Sequence, residues 1–206
     1  MTTGTGRRHL VIFARRPELG VGKRRLARGA GELTAWRFQR VMLAGLLRRL
    51  APDPRWTTWL AVTPDAGARD LSWLPAAGRR PVRAIPQGRG DLGRRMARPM
   101  ASLPPGPVVV VGSDVPGISA ARVAAAFQAL GACDAVLGPA LDGGYWLVGL
   151  AARARRRPPF HPVRWSSPHA LADTCANLDR AGLTWRTLDT LSDVDAADDL
   201  RPGHFR

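Results

Sequence analysis

In "GPALDGGYWLVGL" (residues 138–150), Asp142 is followed by Gly143, Gly144, Tyr145 and Trp146 at the start of an apolar run. A carboxylate in that position can hold an acceptor hydroxyl or take its proton. The two glycines let backbone lie against a ligand without a Cβ in the way, and the rings offer flat surfaces with polar handles. For Tyr145 and Trp146 an ordinary explanation competes on even terms, a turn of the Asp-Gly type leading into a core aromatic pair. Asp142 is harder to explain that way.

A second carboxylate stands in "VVVVGSDVPGI" (residues 108–118), where a fully apolar stretch delivers Gly112, Ser113 and Asp114 and Pro116 ends it. One hard carboxylate next to phosphates is a natural ligand for Mg2+ or Mn2+, ions that take one or two protein carboxylates and complete their shell with substrate oxygens. The bland alternative has Asp114 satisfying a turn. Positive charge for phosphates comes from "ARRPELGVGKRRLA" (residues 14–27), in which Gly20 and Gly22 allow a close turn and Lys23, Arg24 and Arg25 supply cations. This is not a P-loop, because Pro17 and Arg24 occupy the places where that motif needs Gly and Ser or Thr.

"GRGDLG" (residues 88–93) fits the dinucleotide fingerprint G-x-G-x-x-G, with Asp114 at the distance of a ribose-binding acid. Against it, Ile85-Pro86-Gln87 interrupts the strand before the glycines, and a proline turn follows Asp114. At the end of the chain, "LSDVDAADDL" (residues 191–200) gathers Asp193, Asp195, Asp198 and Asp199. One of these could be a second metal ligand, or Asp195 could cap a final helix beginning at Ala196.

The elements that must position these groups alternate. "HLVIFA" (9–14), "TTWLAVT" (57–63), "PVRAI" (81–85), "PVVVVG" (107–112), "DAVLG" (134–138) and "YWLVGL" (145–150) read as strands, several too apolar to have a wet face, as in buried parallel sheets. Between them Trp36, Leu43, Leu47 and Leu50 recur at helical spacing, Ser119 can cap "AARVAAAFQAL", and Ser166 or Ser167 can start a helix with Pro168 in its first turn. The β-α-β-α order predicts a three-layer α/β/α domain with a mostly parallel mixed sheet, in which ligands bind beyond the carboxyl ends of the strands. The 206 residues suit one domain, 1–206.

The formal charge is +15, from 31 Lys and Arg against 16 Asp and Glu, and only Lys23 among the cations is a lysine. The arginines are scattered, the densest group being Arg153 to Arg157, rather than gathered with stacking aromatics, so nucleic acid is a poor candidate partner and a small anionic substrate a better one. No stretch is apolar for the roughly 18 residues of a membrane span, and no signal-peptide pattern opens the chain, so a soluble cytoplasmic protein is expected. Cys133 and Cys175 lack metal spacing and read as reduced thiols.

Taken in order, the segments "VIFARRPELGVGKRRL", "QGRGDLGRRM", "GSDVPGI", "GPALDGGYWLVGL", "WSSPHALADT" and "LSDVDAADDL" cover nearly the whole chain. They resemble the GT-A-like transferases of the radical-SAM/selenodomain-associated, arsenosugar-pathway type. Those are relatives of molybdopterin and phospholactate guanylyltransferases and of nucleotide-diphospho-sugar transferases generally. The resemblance implies that Gly20, Gly22, Lys23 and Arg25 lie at the nucleotide phosphates, that Asp114 binds Mg2+ or Mn2+, and that Asp195 is a second metal ligand. It also puts "QGRGDLGRRM", with Gln87 and Gly93, on the nucleotide side, which displaces the dinucleotide reading. Gly22 and Arg24 stand where Val and Thr are usual in this family, and Arg15 where Lys is usual, so the details of phosphate contact differ.

The expected function is a metal-dependent transfer from a nucleotide-activated donor to a small-molecule acceptor. Lys23 and Asp142 would do catalytic work, and Gly143, Gly144, Tyr145 and Trp165 would line the substrate site. Glycosyl transfer is the first reading and nucleotidyl transfer to a phosphorylated small molecule the alternative. A non-catalytic nucleotide- or nucleic-acid-binding protein is a third. The single acid of Gly-Ser-Asp, in place of a paired Asp-x-Asp, leans toward nucleotidyl transfer.

Overall fold

The computed structural model describes residues 6–74 and 82–201. Among the described residues, seven strands form one mixed sheet in the order β3-β2-β1-β4-β6-β5-β7. These are β1 (His9–Arg15), β2 (Thr57–Thr63), β3 (Arg83–Pro86), β4 (Val108–Val111), β5 (Ala135–Pro139), β6 (Tyr145–Leu150) and β7 (Trp185–Thr187). Only β6 runs antiparallel, between β4 and β5. The α/β class and its mostly parallel sheet are therefore as the sequence pattern indicates. Pro81, the first residue of the expected third strand, lies outside the described residues.

The apolar strands are explained by cover on both faces. On one face Leu10, Ile12, Val109 and Val111 pack against Leu43, Leu47 and Leu50 of α2 (Glu32–Leu50) and Val123 and Phe127 of α4 (Ala120–Ala129). On the other, Val11, Val108, Val110 and Val148 meet Met96 and Met100 of α3 (Leu92–Ser102) and Leu178 of α5 (Ala170–Arg180). Each such side chain withdrawn from water contributes about 1.5–3 kcal/mol, so the central strands are the rigid part on which the loops at their carboxyl ends are mounted. Among the described residues no helix is long and apolar enough to cross a membrane.

Local starts differ in part from expectation. Ser119 caps α4, its Oγ accepting from the Arg122 N–H at 3.3 Å. The helix placed after Ser166 begins later: α5 starts at Ala170, and Ser167 Oγ instead closes a turn by donating to Arg164 O at 2.7 Å and accepting from His169 N at 3.2 Å. Pro168 thus precedes the helix, because the serine's hydrogen bonds are spent on the turn ahead of it.

The final helix is a single 3-10 turn, Ala197–Asp199, and the side chain that caps it is Asp199, which accepts from the N–H groups of Asp195 and Ala196 at 2.9 and 2.8 Å. Asp195 is left free for other work. Arg155, within the densest arginine run, is buried, and its guanidinium donates to the carbonyls of Met100, Leu103, Pro104 and Gly106 at 2.6–2.9 Å. It pins the turn after α3 and presents no charge to a partner. Both cysteines are free, Cys133 buried and Cys175 partly so.

Candidate functional site

The loop from β1 carries three successive departures from ordinary backbone. Gly20, Gly22 and Lys23 all have positive φ, of 76°, 80° and 41°. For a lysine the left-handed region is strained, and such strain clusters where a side chain must be aimed. Here it sits at the N-cap of the short helix α1 (Arg24–Ala30) and sends Lys23 Nζ to Asp114 Oδ2 at 2.7 Å and to Asp195 Oδ1 at 3.5 Å. Burial of the Lys23 side chain works against its charge, but Asp114, with help from Asp195 and Asp193, outweighs this and holds the ammonium above its usual pKa. Lys23 is therefore a fixed cation across the physiological range.

Asp114 leaves the end of β4, with Gly112 before it: a Cβ added there would stand 3.1 Å from Asp114 Oδ1. The segment 191–195 crosses behind. Leu191 pairs with the end of β5 through its N–H to Pro139 O at 3.0 Å, and Val194, buried, donates to Asp114 O at 3.2 Å. Asp193 and Asp195 flank that anchor and fall on different sides of it.

Two clefts result, sharing Leu92, Gly112 and Asp114. The larger, about 620 Å³, is lined by Arg15, Lys23, Arg24, Arg25, Arg28 and Arg95, balanced only by Asp114 and Asp195. Arg25 Nη1 reaches Asp195 Oδ2 at 3.1 Å. Arg95 loses basicity through burial and the nearby Arg15, and its buried Nε has no partner among the described residues. Crowded, under-neutralised cations in a concave site are arranged for an anion.

The smaller cleft, about 380 Å³, holds Asp142, Asp193, Tyr145 and Trp165, with Ser166 and Ser167 at its side. Asp142 Oδ1 accepts from Gly144 N at 2.9 Å, and the Tyr145 and Trp165 rings meet edge to face at 6.3 Å. The carboxyl of Asp193 is pushed up by burial and by the neighbouring Asp142 and Asp114.

The remaining candidates sort by position. Gln87 is buried at the floor of the cationic cleft, where Nε2 donates to Ala14 O and Ala61 O at 3.2 and 2.9 Å while Oε1 accepts from Arg95 Nη1 at 3.0 Å. It orients Arg95. Gly20 borders a separate hollow with Glu32, beside the main cleft rather than in it. Gly93 lies outside both clefts and borders a smaller hollow with Arg94 and Phe160; a Cβ there would stand 2.6 Å from Phe160 O and 2.9 Å from Trp165, so its bareness lets Trp165 pack close.

Gly143, with φ of 84°, has its Cα against the backbone of Pro168, and it accepts from Leu171 N at 3.0 Å, tying the β5–β6 turn to α5. Trp146 is core, buried and donating from Nε1 to Asp189 O at 3.1 Å, though one face borders the smaller cleft. At the dinucleotide fingerprint, the guanidinium of Arg98 lies against Gly88 and donates to the carbonyls of Gln87 and Arg89. Asp193 is the residue that sequence reasoning left unassigned. Its signal was the acidic run, which could not say which aspartate faces which cleft.

The donor set suits a divalent metal only in part. Among the described residues no three of His, Cys, Asp and Glu converge as a metal group. Asp114 offers hard oxygens, with Asp195 sharing its cation and Asp193 raised by its charge. This matches the Mg2+ or Mn2+ pattern of one or two carboxylates completed by substrate phosphates.

The family described as "Uncharacterized protein conserved in bacteria (DUF2064)" matches residues 46–167. No curated protein matches the chain. A crystal structure from Desulfovibrio desulfuricans G20, provisionally described as a nucleotide-diphospho-sugar transferase, is 28% identical with a TM-score of 0.83, covering 92% of this chain and 82% of that one. Glucosyl-3-phosphoglycerate synthase from Mycobacterium tuberculosis, solved with Mn2+, uridine diphosphate and glucosyl-3-phosphoglycerate, is similar in fold, with 12% identity, a TM-score of 0.59 and 93% and 72% of the two chains covered. So is an inositol-1-phosphate CTP transferase from T. maritima, with 10% identity, a TM-score of 0.56 and 99% and 95% covered.

Proposed function

This chain belongs to the DUF2064 family, and we propose that it is a transferase using a nucleotide-activated donor, most simply a glycosyltransferase of the arsenosugar-pathway type built as one GT-A-like domain. The observation that carries the reading is the Lys23–Asp114 contact at 2.7 Å, which stands where a cationic cleft and an acidic cleft meet. In the cationic cleft Lys23, Arg25 and Arg95 neutralise a diphosphate, stabilising the charge that grows on it as it leaves. Across Asp114, the cleft of Asp142, Tyr145 and Trp165 receives a small hydroxyl-bearing acceptor.

In the glycosyl version the acceptor oxygen bonds to the donor's anomeric carbon as the bond to the diphosphate breaks. The proton released from the acceptor goes to Asp142, whose Oδ1 is already held by Gly144 N–H. Asp114, with Asp195 on the donor side, would hold Mg2+ or Mn2+ alongside the donor. A bound divalent ion supplies Lewis-acid neutralisation of the diphosphate. Fixing donor and acceptor on one rigid sheet edge supplies the proximity that makes the transfer effectively unimolecular.

The test is a panel of nucleoside di- and triphosphates and nucleotide sugars, with and without Mn2+ or Mg2+, read by thermal shift. A ligand present at a hundred times its dissociation constant adds about 2.7 kcal/mol to apparent stability. Stabilisation by a nucleotide sugar or its diphosphate supports glycosyl transfer. Response to a triphosphate alone would move the assignment to nucleotidyl transfer, and no response to any nucleotide would remove the donor reading.

A further inference from the structure

The smaller cleft has a chemistry opposite to that of its neighbour. Asp114, Asp142 and Asp193 contribute three carboxylates to its wall, and among the described residues lining it there is no Lys, Arg or His. Of the basic groups around it, His169 at the start of α5 is exposed and outside the lining, and three others are engaged elsewhere. Arg164, next to Trp165, gives its guanidinium to Asp173 at 2.9 and 2.8 Å on the outside of α5. Lys23 reaches Asp114 from the other cleft, and Arg122 donates to Gly117 O at 3.1 Å and faces Asp189. The rest of the lining is aromatic and hydroxylic: Tyr145 and Trp165 set edge to face, with Ser166 and Ser167 beside them.

We propose that the acceptor taken by this cleft is a neutral polyhydroxyl compound that carries no phosphate or carboxylate, and that Asp142 and Asp193 are the residues that impose this choice. The proposal rests on the transferase reading of the same site. Carboxylates accept hydrogen bonds and donate none, so hydroxyl groups satisfy them, while an anionic group meets the like charge of Asp114, Asp142 and Asp193 with no cation in the lining to offset it. The aromatic pair supplies a flat apolar face for the carbon side of a sugar-like ring. A phosphorylated acceptor, which nucleotidyl transfer to a phosphate would require, finds its complementary charge only in the neighbouring cleft, where the donor diphosphate competes for it. The acid wall thus also keeps the donor's phosphates from binding on the wrong side of Asp114.

The experiment uses matched pairs of probes: glucose and glucose 6-phosphate, inositol and inositol 1-phosphate, glycerol and glycerol 3-phosphate. The indole N–H resonance of Trp165, identified by its disappearance in Trp165→Phe, is followed during titration of the 15N-labelled protein. Each titration is run first without nucleotide and then with uridine diphosphate and the diamagnetic Mg2+. At least one neutral member should move the Trp165 signal at a concentration about tenfold or more below that needed by its phosphate ester, as like-charge juxtaposition predicts. In the Asp142→Asn/Asp193→Asn double variant that ratio should shrink toward one.

Equal or stronger response to the esters overturns the proposal, as does an unchanged ratio in the double variant or silence of Trp165 to every probe. Failure of the donor reading looks different: Trp165 would answer to the neutral compounds while no nucleotide bound to the protein.

Discussion

The two clefts on either side of Asp114 are made of the same sheet edge and differ almost completely in charge. The cationic one takes its six basic residues from the end of β1, the irregular loop and helix α1 that follow it, and the start of α3, all in the early half of the chain. The acidic one is assembled from the β4 end, the β5–β6 turn, the loop before α5 and the 191–195 segment, so its members are scattered over the later half. The difference shows how a net charge of +15 can mislead. Bulk basicity says only that anions are attracted, while the division into a positive and a negative chamber says that one substrate end is anionic and the other is not.

The sharpest way to break that division is at the residue both chambers share. Asp114→Asn keeps the side chain's shape but loses the charge that would hold a hard cation and that fixes Lys23. Metal-dependent donor binding should disappear altogether, while the circular dichroism and melting profile stay near those of the wild type. Undiminished metal-dependent affinity by calorimetry would take Asp114 out of the metal site.

Next in size is Asp142→Asn, which separates the chambers. Donor affinity should hold within about twofold, since the proposed phosphate site lies on the far side of Asp114, while turnover falls by roughly a hundredfold, the scale of a lost general base. Donor hydrolysis without acceptor serves as the control reaction. Parallel loss of donor binding and turnover would move Asp142 to the phosphate side.

Much of this was legible in the sequence. The central strands read as strands because both their faces are buried, and the groups at their carboxyl ends stand out because each comes directly after an apolar run. What the sequence does not carry is the partnership of Lys23 with Asp195, residues 172 positions apart, or the identity of the capping acid in "DVDAADD". An acidic run gives candidates without directions. Asp195 was freed because Asp199 took the cap, and Asp193 was turned into the smaller cleft because Val194 between them is buried against Leu26 and Phe38. The strand β7 escaped for a related reason: three residues with two exposed leave no hydrophobic period to read. Gly93 reads as a ligand glycine, and the structure packs it against Phe160 and Trp165, since absence of a Cβ serves either purpose.

A comparison of two single-charge losses sharpens the cationic chamber. Lys23→Ala should weaken nucleotide binding by about tenfold or more, the worth of a lost charged hydrogen bond in a partly buried site. Arg153→Ala removes the same charge from the protein, but Arg153 is tied to Asp134 at 2.6 Å at the opposite, amino-terminal end of β5, and its loss should leave affinity nearly unchanged. If bulk charge attracted the nucleotide the two losses would match, and both would fade with salt. Equal losses at low ionic strength would end the pocket assignment of Lys23.

The smallest expected effect tests how the acidic chamber keeps its aromatic wall in place. Trp165 sits on the loop before α5, and that loop is fastened by Arg164, whose backbone N–H and guanidinium both donate to Asp173 on the helix, at 2.8–2.9 Å. Those hydrogen bonds hold the Asp173 carboxyl well below the usual carboxylate range. A depressed folded-state pKa means that the contribution to stability is fully present above the ordinary value of about 3.9 and is lost only as pH falls through the lower, folded value. The pair is therefore constant from pH 5 to 8. Asp173→Asn should lower the melting temperature slightly across that window, with the difference from wild type closing only under more acidic conditions. Because the pair faces solvent, the functional change should be modest, a rise of roughly two- to fivefold in the acceptor KM. Donor affinity should not move, for Lys23 and Arg95 are held by Asp114 and Gln87 on the other side of the sheet edge. A shift in donor affinity as large as that in acceptor KM would mean that the Trp165 loop supports both chambers, and the separation drawn at Asp114 would have to be redrawn to include it.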